Sequence, residues 1–197
     1  EETETTPFIQ YQSSKFTVLG DKIFRIAGYS GSIEDLSPER NVYSSTDGLN
    51  WVLETENHGF ESKYRFQIES LNDILYCIEP NPDSDIESIS TRTSTDGANW
   101  SAPVVSGIRE RGINSVRTIV LDNTIILMTT PEDGPNSYST FYISPNGEDW
   151  ELATTIDSFP IQAIFFTLVN LNGELLAIGG TQRSNFSSTD NTVWKLN

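Results

Sequence analysis

Two of the residue types that most often do chemistry occur once each in this 197-residue chain. His58 is the single histidine and Cys77 the single cysteine. One of each cannot build a Cys/His zinc site or an internal disulfide. A Ser-His-Asp arrangement would rest on His58 alone. That residue sits in Glu56-Asn57-His58-Gly59, which reads as a solvated turn, and Cys77 reads as a small buried hydrophobe. Alternating acids in Asp83-Ser84-Asp85-Ile86-Glu87 make Asp83, Asp85 and Glu87 the candidate metal ligands, because hard carboxylate oxygens suit calcium. No other cofactor is expected. Solvated acidic loops that keep the protein soluble are the simpler reading of that run. Tyr29, Tyr138 and Phe186 fall in variable loops, where aromatic faces could stack on sugars.

The composition narrows the partners. Twelve basic residues against 28 acidic ones give a net charge of −16, which disfavours a phosphate backbone. No apolar run approaches 18 residues, so no membrane span is expected. Six alanines against 19 isoleucines and 20 threonines favour strands over helices. The Ser-, Thr- and Asn-rich profile suggests an extracytoplasmic protein in the periplasm, at the cell surface or secreted. The polar residues 1–7 read as a flexible tether, left by removal of a signal or lipoprotein segment or marking a boundary.

These residues must be positioned by repeats. Ser45-Thr46-Asp47-Gly48-Leu49-Asn50-Trp51, Ser94-Thr95-Asp96-Gly97-Ala98-Asn99-Trp100 and Ser144-Pro145-Asn146-Gly147-Glu148-Asp149-Trp150 share the pattern S-x-[DN]-G-x-x-W, with tryptophans 49 and 50 residues apart. A second ladder pairs two apolar runs across a turn dipeptide: Gly20-Asp21, Asn72-Asp73, Asp122-Asn123 and Asn172-Gly173. Such pairs accept positive φ cheaply and close tight hairpins. Each unit is therefore hairpin, loop, strand, turn, strand, which is the size of one propeller blade. The expected fold is all-β: a four-bladed β-propeller over 8–197, with units near 13–56, 60–106, 113–156 and 161–197. Trp194 matches the third-strand residues Tyr43, Arg92 and Tyr142, not the motif tryptophans. The fourth unit then lacks an outer strand, and residues 8–12 are expected to complete it and close a monomeric ring.

The S-x-D-G-x-x-W copies resemble a shortened Asp-box, the turn of sialidase-like (BNR) propellers. Leu171–Gly180 followed by Val193-Trp194-Lys195-Leu196 resembles a kelch repeat. Together they resemble the kelch/galactose-oxidase-like propellers of exported Bacteroides-type proteins. The likeness implies structural work for Asp47, Gly48, Trp51, Asp96, Gly97, Trp100, Asn146, Gly147 and Trp150. Glycine supplies the turn, the acid or amide accepts backbone N–H bonds, and tryptophan packs beneath. Phe24-Arg25-Ile26 resembles the start of a sialidase F-R-I-P element, with Ala27 in place of proline. No spacing marks an arginine triad, so Arg25 reads as a polar position in an alternating strand. Galactose-oxidase copper chemistry needs two histidines and is excluded by His58 standing alone. The expectation is a non-enzymatic binding module for carbohydrate or a surface protein. The alternatives are a glycan-active enzyme of sialidase-like ancestry and a docking domain of a larger protein.

Overall fold

The computed structural model describes residues 13–30, 37–60, 65–81, 88–109, 113–131, 139–154, 163–164, 167–179, 181–182 and 193–196. Those residues form strands and turns without a helix. The first sheet has strand order β1 (Lys15–Leu19), β2 (Lys22–Ser30), β3 (Ser37–Ser45), β4 (Val52–Thr55). The second repeats that order with β5 (Gln67–Leu71), β6 (Ile74–Asn81), β7 (Ser88–Ser94) and β8 (Val104–Val105). The third uses β9 (Ile113–Leu121), β10 (Thr124–Pro131), β11 (Thr140–Ser144) and β12 (Glu151–Thr154). Next, β13 (Ala163–Ile164) pairs with β16 (Thr181–Gln182), while β14 (Thr167–Leu171), β15 (Glu174–Ile178) and β17 (Val193–Leu196) make a three-stranded sheet. The all-β, antiparallel expectation holds.

The hairpins are closed as their dipeptides dictate. Asn72 and Asp73 have φ of 52° and 60°, Asp122 and Asn123 have 48° and 59°, and Asn172 and Gly173 have 55° and 83°. Positive φ at both central residues defines the turn whose twist matches paired strands. In the first hairpin Gly20 alone carries the positive φ, at 60°. The residues flanking each turn pair directly: Leu19 with Lys22, Leu71 with Ile74, Leu121 with Thr124 and Leu171 with Glu174. The four second strands are thus in one register. Opposite Ala177 stands Trp194, as Tyr43 stands opposite Arg25 and Tyr142 opposite Leu127. Trp194 therefore holds a third-strand position.

The second turn of each of the first three repeats is a hydrogen-bonded knot. Ser45 ends β3, and its Oγ accepts the Gly48 N–H at 2.9 Å while donating to Asp47 Oδ1 at 2.9 Å. Asp47 Oδ1 also accepts the Leu49 and Asn50 N–H groups, each at 2.8 Å, and its Oδ2 accepts the Asn50 amide at 2.8 Å. Trp51 Nε1 donates to the Gly48 carbonyl at 3.1 Å. The set recurs at Ser94–Trp100. In the third copy the partners trade chemistry: Asn146 Nδ2 donates to Asp149 Oδ2 at 2.8 Å. The same contact survives with the charge moved three residues along. Glycine is needed because Gly48, Gly97 and Gly147 have φ of 76°, 76° and 72°. A Cβ at Gly97 would also overlap the Phe24 ring.

The chain divides into two compact units, Glu1–Glu79 with Thr91–Val104, and Pro80–Ser90 with Val105–Asn197. The first unit buries Phe24, Ile26 and Val42 with Phe60, Phe66, Ile68, Leu75 and Cys77, and Leu19 and Trp100 pack against them. Each fully buried phenylalanine of that group contributes roughly 1.5–3 kcal/mol. The second unit buries Met128 and Phe141 with Leu175 and Ala177, flanked by Ile126 and Leu168.

The exchanged pair in the third turn yields a test. Asp96 is held down to about 2, chiefly by the Asn99 backbone N–H and then by the Asn99 amide. Asp96→Asn replaces the charge-assisted bond with a neutral one, for which Asn99 must turn its amide oxygen towards the new NH2, and lowers Tm. Asp96→Asn with Asn99→Asp recreates the Asn146/Asp149 arrangement and recovers most of the loss. Thermal unfolding at neutral pH checks both, and an unrecovered double variant would contradict the reading.

Candidate functional site

Counting from the hairpin turn, the fourth residue of the second strand is Arg25, Cys77, Leu127 or Ala177. All four are buried, with Arg25 at 2% exposure. A guanidinium thus occupies a place that the other three repeats fill with a small or apolar side chain. A lone buried charge costs several kcal/mol, so it must be paired. Arg25 Nη2 donates to Glu39 Oε2 at 2.7 Å and to Ser14 Oγ at 3.0 Å, and its guanidinium lies 5.7 Å from the Tyr43 ring centre. Both side chains of the ion pair are sealed from solvent, at 2% and 4%.

Backbone geometry brings Glu39 within reach. Ile26 pairs with Val42, but Gly28 pairs with Glu39, so β3 carries an extra residue in a bulge. Without it Glu39 would oppose Tyr29, one step farther from Arg25. Ala27, buried at the bulge, takes a φ of 51°, which an alanine adopts only when its surroundings impose it. The second sheet carries a looser pair with the signs exchanged. Glu79 lies on β6 and Arg92 on β7, with Arg92 Nε 4.0 Å from Glu79 Oε1. Arg92 Nη1 also donates to the Ser101 carbonyl at 3.1 Å.

A cavity of about 380 Å³ opens in the first unit, at the turn end of its strands. Leu19 and Phe24 form apolar walls, and Lys22, Glu54, Asp73 and Asp96 supply charge. Lys22 Nζ is 3.1 Å from Glu54 Oε1, and that oxygen also accepts the Ser44 hydroxyl at 2.5 Å. Glu54 is therefore oriented by two donors. Asp96, at about 2, is ionised at neutral pH and has no proton to give. The cavity offers fixed acceptors to hydroxyl groups, without a general acid at Asp96.

The site residues expected from sequence fall out unevenly. Tyr29 lies within β2 opposite Pro38 and is half-buried, so it belongs to a strand instead of a loop. Tyr138, Phe186, Asp83, Asp85 and Glu87 lie outside the described residues. Among the described residues no three His, Cys, Asp or Glu side chains could hold a metal ion together. The motif residues of the three knots have the hydrogen bonds given above. Cys77 is fully buried, and desolvation followed by the Glu79 charge pushes its thiol well up. Two further expectations are corrected. His58 is buried at 3% instead of solvated, because its ring stacks on Phe60 at 3.9 Å and both its nitrogens are engaged. Arg25 is an inward, paired charge, not an ordinary polar strand position. The sequence signal was present: a charge at a place where the other three repeats carry cysteine, leucine and alanine.

No protein-family model and no curated protein matches the sequence. Solved structures match by fold. The Bombyx mori GH32 β-fructofuranosidase BmSUC1 superposes with a TM-score of 0.57 at 13% identity, over 87% of this chain and 43% of its own. The Bacteroides ovatus xyloglucan PUL GH43B protein gives 0.58 at 12% identity, over 94% and 38%. YjhT gives 0.62 at 11% identity, over 98% and 66%. This chain thus spans less than two thirds of each of these neighbours. At such identities the likeness establishes the fold, which is propeller-like. The expected non-enzymatic binding module is not retained, because the structures that share this fold include a GH32 β-fructofuranosidase and a GH43B protein. No helix among the described residues is long and apolar enough to cross a membrane.

The ion pair is testable by separating its halves. Arg25→Leu mimics Leu127 but strands the Glu39 carboxylate, and it should cost about 3–5 kcal/mol in urea unfolding. Arg25→Leu with Glu39→Gln should recover most of that loss. Equal losses in the single and double variants would show that the pairing does not govern stability here.

Proposed function

We propose that this chain is the propeller-like part of a glycan-active enzyme that hydrolyses glycosidic bonds. The observation that carries this reading is the fold shared with the GH32 β-fructofuranosidase and the GH43B protein. Glycoside hydrolysis generally requires two carboxyl groups flanking the scissile bond, one donating a proton and one acting as base or nucleophile. Acids are plentiful, at 28. Glu79 is the described carboxylate to test first. It is buried, lies near the end of β6 beside the variable stretch 82–87, and has an arginine 4.0 Å away that can orient it.

The test is a substrate panel of aryl β-xylosides, α-arabinofuranosides and sialosides, with sucrose as the fructofuranoside. At least one is expected to turn over. Glu79→Gln should lower that turnover by about 10²-fold or more with Tm retained. Absence of turnover across the panel would overturn the enzymatic reading. Turnover unchanged in Glu79→Gln would remove that residue from the site.

We further propose that the sheets are four blades of one ring built from kelch/Asp-box-type repeats, in an extracytoplasmic protein. Three sheets have four strands in the order of the sequence, and the last has three among the described residues. Residues 8–12 are the proposed fourth strand. Deleting residues 1–12 should lower Tm and promote association. A truncated chain that stays monomeric and equally stable would refute the closure.

A further inference from the structure

We infer that His58 is an acid-released latch, fastening the connection between β4 and β5 onto β3 through its neutral imidazole. The connection turns twice in succession by the same device. Asn57 Oδ1 accepts the Gly59 N–H at 3.1 Å, and His58 Nδ1 accepts the Phe60 N–H at 2.9 Å. Nδ1 must therefore be the unprotonated nitrogen. The other nitrogen, Nε2, carries the proton and donates it to the Glu39 carbonyl at 3.2 Å. The His58 backbone N–H donates to the Arg40 carbonyl at 3.0 Å. Three bonds thus tie one residue to β3 and to its own loop. An imidazolium could keep only the two that it donates, because a protonated Nδ1 cannot accept.

The surroundings sharpen this. His58 stacks on Phe60, which meets Trp100 edge-on at 4.8 Å and Phe66 at 5.9 Å. Releasing the Phe60 N–H therefore loosens a ring buried in the core of the first unit. The groups acting on the imidazole are the Glu39 carbonyl and the Arg40 charge on β3 and the Arg92 charge on β7, the last leaning on Glu79 of β6. Desolvation is the main cause that brings His58 down to about 4. The Glu39 carbonyl opposes that shift, and the Arg40 and Arg92 charges add to it. Stacking on Phe60 favours a cation, but not enough to offset burial between two arginines. The sign follows from linkage. The folded value lies below the ordinary 6.5, so the contribution is complete above pH 6.5 and is lost as pH falls from there towards 4.

Being the single histidine, His58 gives an unambiguous imidazole signal in a proton NMR titration of the whole chain. The Cε1–H resonance should stay flat through pH 6.5 and move only below about pH 5, with its midpoint near 4. Protection of the Phe60 amide, corrected for intrinsic exchange, should fall by about 100-fold between pH 6.5 and 4. His58→Asn retains an acceptor for the Phe60 N–H, as Asn57 does for Gly59, and removes the titration. Its protection should change by less than about 3-fold over that range. An imidazole that titrates near 6.5 with Phe60 still protected would overturn the latch. So would an acid step that persists in His58→Asn, since carboxylates would then be responsible.

Discussion

A serine hydroxyl at the last position of a strand governs much of this structure. Ser45, Ser94 and Ser144 each close a turn by donating to the acid or amide two residues on and accepting the glycine N–H three residues on. The three serines are buried, so neither role can be passed to water. Because each serine ends its strand, the turn fixes where that strand stops. Ile23 is thereby set against Ser45, and Ile125 against Ser144. From those anchors the two-residue alternation decides which side chains of the second strand face inward. The trade between Asp47/Asn50 and Asn146/Asp149 shows what is preserved: one donor facing one acceptor, with the charge free to sit on either residue.

With the register pinned, the inward place four residues past each hairpin turn is forced on whatever residue occupies it. In three repeats that residue is small or apolar. In the first it is an arginine, and the local structure bends to accommodate it. An extra residue in β3 draws Glu39 closer, Ala27 adopts a positive φ, and His58 holds the Glu39 carbonyl from outside. A buried ion pair of this kind adds little net stability compared with an apolar pair. It does impose a single arrangement, since any slip of β3 would leave two charges unpaired in a dry interior. The arginine thus constrains the first sheet more narrowly than the cysteine, leucine and alanine constrain theirs.

What was legible in the sequence follows the range of the interactions. Hairpin turns depend on two residues, and Asn72-Asp73 or Asn172-Gly173 announce them. The knots depend on seven, all contiguous, so S-x-[DN]-G-x-x-W was sufficient. The third-strand place of Trp194 came from counting. The burial of His58 depends on Glu39 and Arg40, about twenty residues away, and on a ring stack within a connection that reads as polar. The Arg25–Glu39 pair joins residues 14 apart across a bulge that no local pattern signals. Both misreadings took a polar residue type as evidence of exposure. Position within the repeat was the better guide, and it pointed inward for Arg25.

The same distinction separates fold from chemistry in the comparisons. A TM-score near 0.6 at 11–13% identity means that the strand path is shared while most side chains are not. Strand path is set by turn geometry and apolar alternation, which many sequences satisfy. Glycosidic cleavage is set by a few carboxyl groups whose acidities must differ. In this chain the buried carboxylates Glu39 and Glu79 lie against arginines, and Asp96 is fixed as an anion by its turn. A carboxylate fixed as an anion can serve as base, nucleophile or electrostatic anchor. A proton donor would need the opposite setting, an apolar wall without a cation. Asp73 lines a cavity walled by Leu19 and Phe24, but Lys22 lines it too, so that setting is not met there. Glycosidic cleavage would thus divide carboxylates by surroundings: anions held by donors, as Asp96 is by its turn, and a proton donor placed where no cation reaches it.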